Sequence, residues 1–295
     1  MKRLVVLAVK AAVTVGAFYW LSRQIQLGPA LQTVLEARPG PAAAGFAILI
    51  IQAVAGALRW RQIIRLQGGD LGLGDALRLF FLGTFVNQTL SSTVGGDAVR
   101  VWRLTAVGSD WKMATGTVVL ERVAGLLSLG AIAVLALPLV SGPVRLGVWV
   151  LIAASAAALA VLLVGGREPR MPGGWVRLLL VSRRVLVSRG GAPVFAMSVA
   201  IHLLGGLALW FVGMALGTDL PLVACLVVVP PVLLIATLPI SLGGWGIREG
   251  AMVAVWGTLG IAADQMLAVS VAFGLLVMLS GLLGLFVWLG PAKAG

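Results

Sequence analysis

An all-α integral membrane fold, with about six full transmembrane helices plus two re-entrant helical hairpins in inverted repeats, is what three features of this 295-residue sequence predict. The chain is 60% hydrophobic and only 11% charged, about half the charged share of ordinary soluble proteins. Its mean hydropathy is +1.07. The apolar residues gather into runs of about 20, the length of helix that crosses a hydrocarbon core about 30 Å thick. Two stretches about 148 residues apart also resemble each other.

The six clear runs are approximately Leu4 to Leu21, Ala42 to Ile63, Met113 to Val140, Val144 to Val164, Val194 to Leu216 and Gln265 to Leu289. Two more, Ala76 to Val94 and Leu222 to Leu242, carry Gly, Pro, Ser and Thr near their ends and read as broken or re-entrant segments. The first run follows Lys2 and Arg3 as a secretory signal would, but no convincing cleavage site follows, so it reads as a retained helix. The cluster Arg167, Arg170, Arg177, Arg183, Arg184 and Arg189 marks the cytoplasmic side. If both interrupted stretches enter and leave on one side, sixteen Lys and Arg fall inside, including Arg59, Arg61, Arg65, Arg100 and Arg103. Only Arg23, Arg38, Arg145 and Arg248 then fall outside, and Lys10 and Arg122 lie within spans. This places the chain as a multi-pass protein of the inner (cytoplasmic) membrane with both termini cytoplasmic.

The net charge of +12 belongs to these short connecting segments and sets topology, so no nucleic-acid partner is expected. One cysteine, Cys225, cannot close an intramolecular disulfide. With a single histidine, His202, it cannot build a Cys/His zinc site; no metal and no other cofactor is expected. Walker and Rossmann fingerprints and nucleophile–base spacings are absent, which disfavours an ATP-driven pump or an enzyme.

Thr93 to Arg100 lies over Ser241 to Arg248 at an offset of 148, and Phe46-Ala47 over Phe195-Ala196 at 149. The 148 offset also pairs Gly69 with Gly217. Three crossings between the equivalent helices invert the second copy. The whole chain, 1–295, reads as one membrane domain: repeat one at 42–140, a connecting helix and basic loop at 141–192, and repeat two at 193–290. Many secondary transporters share this plan and bind substrate near the midplane between discontinuous helices.

In each hairpin a glycine pair, Gly95-Gly96 or Gly243-Gly244, precedes a helical run whose unpaired N–H groups and dipole favour an anion. Arg100 and Arg248 offer bidentate clamps for phosphate or carboxylate. The structural alternatives are close helix packing by glycine, a helix cap by Asp97 paired to Arg100, and a charge-balanced interface from Arg248 and Glu249. Glu121 and Arg122 lie inside a span, where exposure to lipid costs at least about 2.5–3.5 kcal/mol each, so they face protein or water. They either pair with the hairpin arginines, carry a proton or line a cavity. Asn87 and Ser241 belong to polar turns able to satisfy freed backbone groups or touch a headgroup, and Trp245 flanks the second glycine pair. His202 reads as an interhelical hydrogen-bonding residue.

Leu58-Arg-Trp-Arg61, Gly95-Gly-Asp-Ala-Val-Arg100, Leu120 to Leu126 and Leu238 to Gly250 together resemble the flippase-like membrane domain of bacterial lysylphosphatidylglycerol synthases, from about Leu4 to Leu289. The resemblance implies a stand-alone member that lacks the soluble synthase domain and handles lipid without aminoacyl transfer. Thr89 to Thr93 departs from the family pattern, in which a proline is expected near Ser91. The function expected is a lipid flippase moving an anionic, phosphate-bearing lipid, a phospholipid or a polyprenyl phosphate, between leaflets by alternating access, with no covalent chemistry. The alternatives are a non-transporting scaffold that presents lipid to a separate lipid-modifying enzyme and, further off, an integral-membrane transferase using Glu121 or Glu249 as base. An oligomer is compatible with either.

Overall fold

A computed structural model describes residues 35–89, 95–164, 182–183, 185–236 and 245–289. These form nine α-helices of eleven or more residues: α1 (Pro39–Leu66), α2 (Leu73–Thr89), α3 (Gly95–Ala106), α4 (Trp111–Ala136), α5 (Gly142–Val164), α6 (Gly191–Ala215), α7 (Leu222–Ala236), α8 (Ile247–Gly257) and α9 (Ala263–Leu289). A short 3-10 turn, Leu137–Leu139, extends α4. Five stretches are long and apolar enough to cross a bilayer: Pro39–Leu66, Trp111–Leu139, Val144–Leu163, Gly191–Ala215 and Ala263–Phe286. They coincide with five of the six expected spans; the sixth, Leu4 to Leu21, lies outside the described residues.

Sequence chemistry explains the ends. Proline opens α1, where an N–H would have no intrahelical partner. Gly68, at φ 84°, and Gly217, at φ 71°, follow the last turns of α1 and α6. Both supply the left-handed residue that ends a helix. The closing bonds are equivalent: Gly68 donates to Arg65 O and Gly69 to Ile64 O, as Gly217 donates to Met214 O and Thr218 to Gly213 O. Gly68 thus holds in the first turn the place that Gly217 holds in the second, one residue before the Gly69 that the 148 offset pairs with it.

Helices α1 and α6 are antiparallel along their whole length. Arg38 N–H donates to Ala215 O at 2.8 Å at one end. At the middle, Gln52 Nε2 donates to Ile201 O at 2.7 Å. At the other end Leu66 lies against Gly190. Close contacts are made by glycine: Gly45 of α1 meets the Ala208 carbonyl, and Gly206 of α6 meets the Cys225 carbonyl of α7.

Helices α2 and α3 double back. Gly96 N–H donates to Asn87 Oδ1 at 2.7 Å, and Gly83 lies beside Gly96 and Arg100. Further along, Leu104 joins Trp60, Ile64, Leu71, Ala76 and Ala114 in one apolar cluster. The end of α3 and the start of α4 therefore return to the end of α1 from which α2 departs. In the second half Leu216, just past α6, packs with Ala263 and Leu267 at the start of α9, so the chain likewise returns after α7 and α8. Residues 90–94 and 237–244, where the expected turns fall, lie outside the described residues.

Neighbour relations repeat between the halves. Helix α1 packs on α2 as α6 packs on α7; α2 on α3 as α7 on α8; α3 on α4 as α8 on α9. Helix α1 packs on α4 as α6 packs on α9, and across the halves α2 meets α9 as α7 meets α4. Helix α5 packs on α4, with Ser155 Oγ donating to Leu126 O at 2.9 Å. Elsewhere α5 leaves Leu146, Trp149, Val150, Leu159, Val161 and Leu163 exposed, the surface hydrocarbon requires. The largest core cluster joins α4, α6, α7, α8 and α9 around Val229, Met252, Trp256 and Met266.

Candidate functional site

The polar chemistry begins on α3, the most amphipathic of these helices, whose buried face carries Gly96, Asp97, Arg100 and Leu104. Their spacing of about one turn points them at α4 and α1. Helix α4 answers with Thr117, Glu121 and Ala124 on its buried face, and α1 with Trp60. Gly83 makes room, since a Cβ there would lie 3.0 Å from Arg100 Cγ and 3.1 Å from Gly96 O.

Arg100 is gripped from several sides. Its Nη1 donates to Glu121 Oε2 at 2.6 Å and its Nη2 to Asp97 Oδ1 at 2.7 Å. Its guanidinium stacks on Trp60 and Phe80, 5.0 and 5.1 Å from the ring centroids. Trp60 is itself held by Nε1 donating to Thr117 Oγ1 at 3.0 Å. Arg122 Nη2 donates to the other Asp97 oxygen at 2.5 Å, and Arg59 Nη2 donates to Glu121 Oε1 at 3.2 Å. The result is a ladder of alternating charge, Arg59, Glu121, Arg100, Asp97, Arg122, whose three cations face two anions. Pairing offsets the large cost of desolvating each group.

This ladder lines a cavity of about 370 Å³ together with Gln52, Thr84, Asn87, Gly125, Ile201, His202 and Pro230. His202 Nε2 lies 3.3 Å from Gly125 O, the interhelical role expected of it. The volume is at the lower end of small-ligand sites, roughly 300–1,000 Å³. Gln52 and Arg59 line it on α1 and Ile201 and His202 on α6, so the cavity runs from the middle of α1 toward its Leu66 end.

Of the residues singled out from sequence, Asn87, Asp97, Arg100, Glu121 and Arg122 line this cavity. Gly95 and Gly96 form the first turn of α3 instead of preceding it. Arg248, Glu249 and Trp245 are not part of the lining; they form a compact group at the start of α8. There Arg248 donates to Glu249 Oε1 from Nε at 2.9 Å and from Nη2 at 2.5 Å, and stacks on Trp245 at 4.6 Å. The Glu249 carboxylate also accepts from Gly246 N–H at 2.6 Å and from Ser270 Oγ at 3.4 Å. Gly246, at φ 82°, turns the chain into the helix. Gly274 on α9 leaves the space that the Arg248 guanidinium occupies. Ser241, Gly243 and Gly244 lie outside the described residues. Both helix starts thus already hold a protein acceptor, Asn87 at α3 and Glu249 at α8.

Sequence reasoning gives Arg59 and Trp60 a place in the Leu58–Arg61 motif but none in the site, and gives Gln52 neither. Arg59 was counted with the topology-setting cations, yet its side chain is 12% exposed. The sequence offers one partial signal, that Arg59 lies within an apolar run, where a cation needs a partner.

A profile of the family described as the lysylphosphatidylglycerol synthase TM region matches residues 7–284. A UPF0104 membrane protein of Methanothermobacter thermautotrophicus (strain Delta H) is 24% identical over 287 residues, covering 83% of this chain and 81% of that protein.

Proposed function

The chain belongs to the lysylphosphatidylglycerol synthase TM region family, and from that premise we propose that it is a flippase for an anionic, phosphate-bearing lipid that works without covalent chemistry. The observation that carries the proposal is the cavity: three guanidinium groups and two carboxylates, held between α1, α3 and α4, leave positive charge beside neutral polar groups at mid-bundle. A phosphate held there exchanges water for charge-assisted donors, and its acyl chains stay in lipid.

The mode of action proposed is alternating access between inverted repeats, α1 to α4 and α6 to α9, with α2–α3 and α7–α8 as re-entrant hairpins. Three facts support it. Helices α1 and α6 run antiparallel, their neighbours exchange correspondingly, and the Gln52–Ile201 hydrogen bond joins positions 149 residues apart, where a two-fold axis between such repeats passes. In this scheme the Arg248–Glu249–Ser270 group is the counterpart of Arg100–Asp97–Glu121: position 270 is 149 beyond 121, and the second arginine is neutralised by its own neighbour. The location proposed is the inner membrane with both termini cytoplasmic.

The test is reconstitution into vesicles containing fluorescent phosphatidylglycerol, or in a parallel arm a fluorescent polyprenyl phosphate, with an impermeant reductant to bleach the outer leaflet. Bleaching well beyond the outer-leaflet half, reduced in Arg100→Ala, is the expected result. Bleaching equal to that of protein-free vesicles in both arms refutes transport. Unchanged flipping in Arg100→Ala and Arg248→Ala removes both residues from the mechanism.

A further inference from the structure

We infer that Arg59 is the residue that selects the ligand of this cavity, and that the ligand it selects carries one net negative charge on a phosphodiester. The assignment rests on the headgroup-pocket reading above but not on transport.

The argument is one of charge and valence. The ladder runs cation, anion, cation, anion, cation, so its formal charge is 3 − 2 = +1 from Arg59, Arg100 and Arg122 against Asp97 and Glu121. Arg100, in the middle, is bonded to both carboxylates and stacked on two rings, so its charge is spent. The surplus belongs to the two ends. Arg122 at one end is 54% exposed, where solvent screens it. Arg59 at the other end has the weaker claim on Glu121, 3.2 Å against 2.6 Å for Arg100. Among the described residues its Nη1 donates only to the neutral Ser198 Oγ, at 3.0 Å. Its Nε–H is buried without a hydrogen-bond partner among the described residues. A buried donor left unpaired is costly, more so when charged, and an incoming oxyanion would recover that cost. Arg59 also lines the cavity beside Gln52 and His202 on its inner side, whereas the two carboxylates already hold their guanidiniums.

One added negative charge neutralises these five described side chains. A phosphomonoester, near −1.5 to −2 at pH 7, overshoots it. A zwitterionic headgroup brings an ammonium for which the described lining has no uncommitted carboxylate. Phosphatidylglycerol is the common chemistry that fits.

Native mass spectrometry of the purified full chain with equimolar phosphatidylglycerol, phosphatidylethanolamine and phosphatidic acid tests this. Phosphatidylglycerol is expected to bind in preference to both. Arg59→Gln brings the ladder to zero and is expected to erase the preference over phosphatidylethanolamine, about tenfold for a lost charged hydrogen bond; Arg59→Lys retains most of it. Glu121→Gln raises the ladder to +2 and is expected to shift binding toward phosphatidic acid, so the assignment remains testable if Arg59→Gln does not fold. Unchanged selectivity in the Arg59→Gln and Glu121→Gln variants overturns it. So does displacement of bound phosphatidylglycerol by millimolar inorganic phosphate, which would make the site one for a soluble anion. Lost flipping with this selectivity intact refutes the transport reading alone, and flipping with unselective binding refutes this assignment alone.

Discussion

Replacing Glu249 with alanine separates a structural from a ligand-binding role for the start of α8. The Glu249 side chain is 0% exposed and serves three donors: the Arg248 guanidinium, the Gly246 N–H and Ser270 Oγ. Removing it strands a buried cation, which costs about 3–5 kcal/mol where one partner of a buried pair is lost. Loss of the cap adds about 1 kcal/mol. At about 2–4 °C per kcal/mol for domains of 150–250 residues, the melting temperature should fall by roughly 10 °C or more. Arg248→Met combined with Glu249→Met removes both charges together and should recover most of that loss, though not the cap bond to Gly246 N–H, which Met cannot make. Cys225, the chain's single cysteine and fully buried, supplies the assay, because a thiol-reactive fluorophore reports its exposure on heating in detergent. If Glu249→Ala melts within about 2 °C of the parent, the pair does not hold α8 in place and Arg248 is free to act on a ligand.

Packing and topology provide three further checks. Gly206→Ala puts a methyl against the Cys225 carbonyl and should destabilise by about 1–3 kcal/mol, whereas Gly250→Ala on α8, with nothing within 4 Å, should be neutral or stabilising by up to about 1 kcal/mol in the same thiol assay. Trp60→Phe deletes the donor to Thr117 and should cost about 0.5–1.5 kcal/mol, while the weakened stacking on Arg100 should lower phosphatidylglycerol binding more than a distant core change of equal cost does. In a Cys225→Ala background, single cysteines at Asp70 and Asp110 should react with an impermeant maleimide from one side of the membrane, and those at Asp219 and Asp264 from the other. Labelling of Asp70 and Asp110 from opposite sides would mean that α2 and α3 cross as a pair instead of folding back.

The spans were legible because a bilayer imposes length and apolarity on any helix that crosses it, and those two properties are local. Helix α1 was bounded at Ala42 to Ile63 from composition and extends to Pro39–Leu66, a difference made by end residues whose capping is set by backbone geometry. Asp97, Arg100, Glu121 and Arg122 were legible as a group, since charge within an apolar segment demands a partner. What composition could not show was the order of pairing. Arg100 takes both carboxylates because Gly83 and Gly96 let α3 lie close enough to α2 for its guanidinium to sit under Phe80, a contact that depends on three helices at once. Arg59 was hidden for the converse reason. A cation seven residues from the end of a helix resembles a topology signal until α4 places Glu121 beside it.

The same comparison explains why two motifs that align in sequence sit in different chemistry. Arg100 lies five residues beyond Gly95 and finds its carboxylates on its own helix and on α4. Arg248 is the second residue of α8, with Glu249 next to it, and position 270 on α9, where the first half has Glu121, is serine. Among the described residues, one half therefore carries the charge ladder and its cavity, and the other a buried Arg248–Glu249 pair. Strict symmetry would present the same anion site to both leaflets. On the inverted-repeat reading proposed above, serine stands at 270 where the first half has Glu121 and the carboxylate sits on α8 instead, so headgroup affinity should differ between the two proposed access states. Moving the carboxylate back, as Ser270→Glu with Glu249→Gln, should loosen the grip on the Gly246 N–H while keeping Arg248 neutralised. If binding and flipping of phosphatidylglycerol in that variant match those of the parent, the asymmetry is structural and carries no part of the transport cycle.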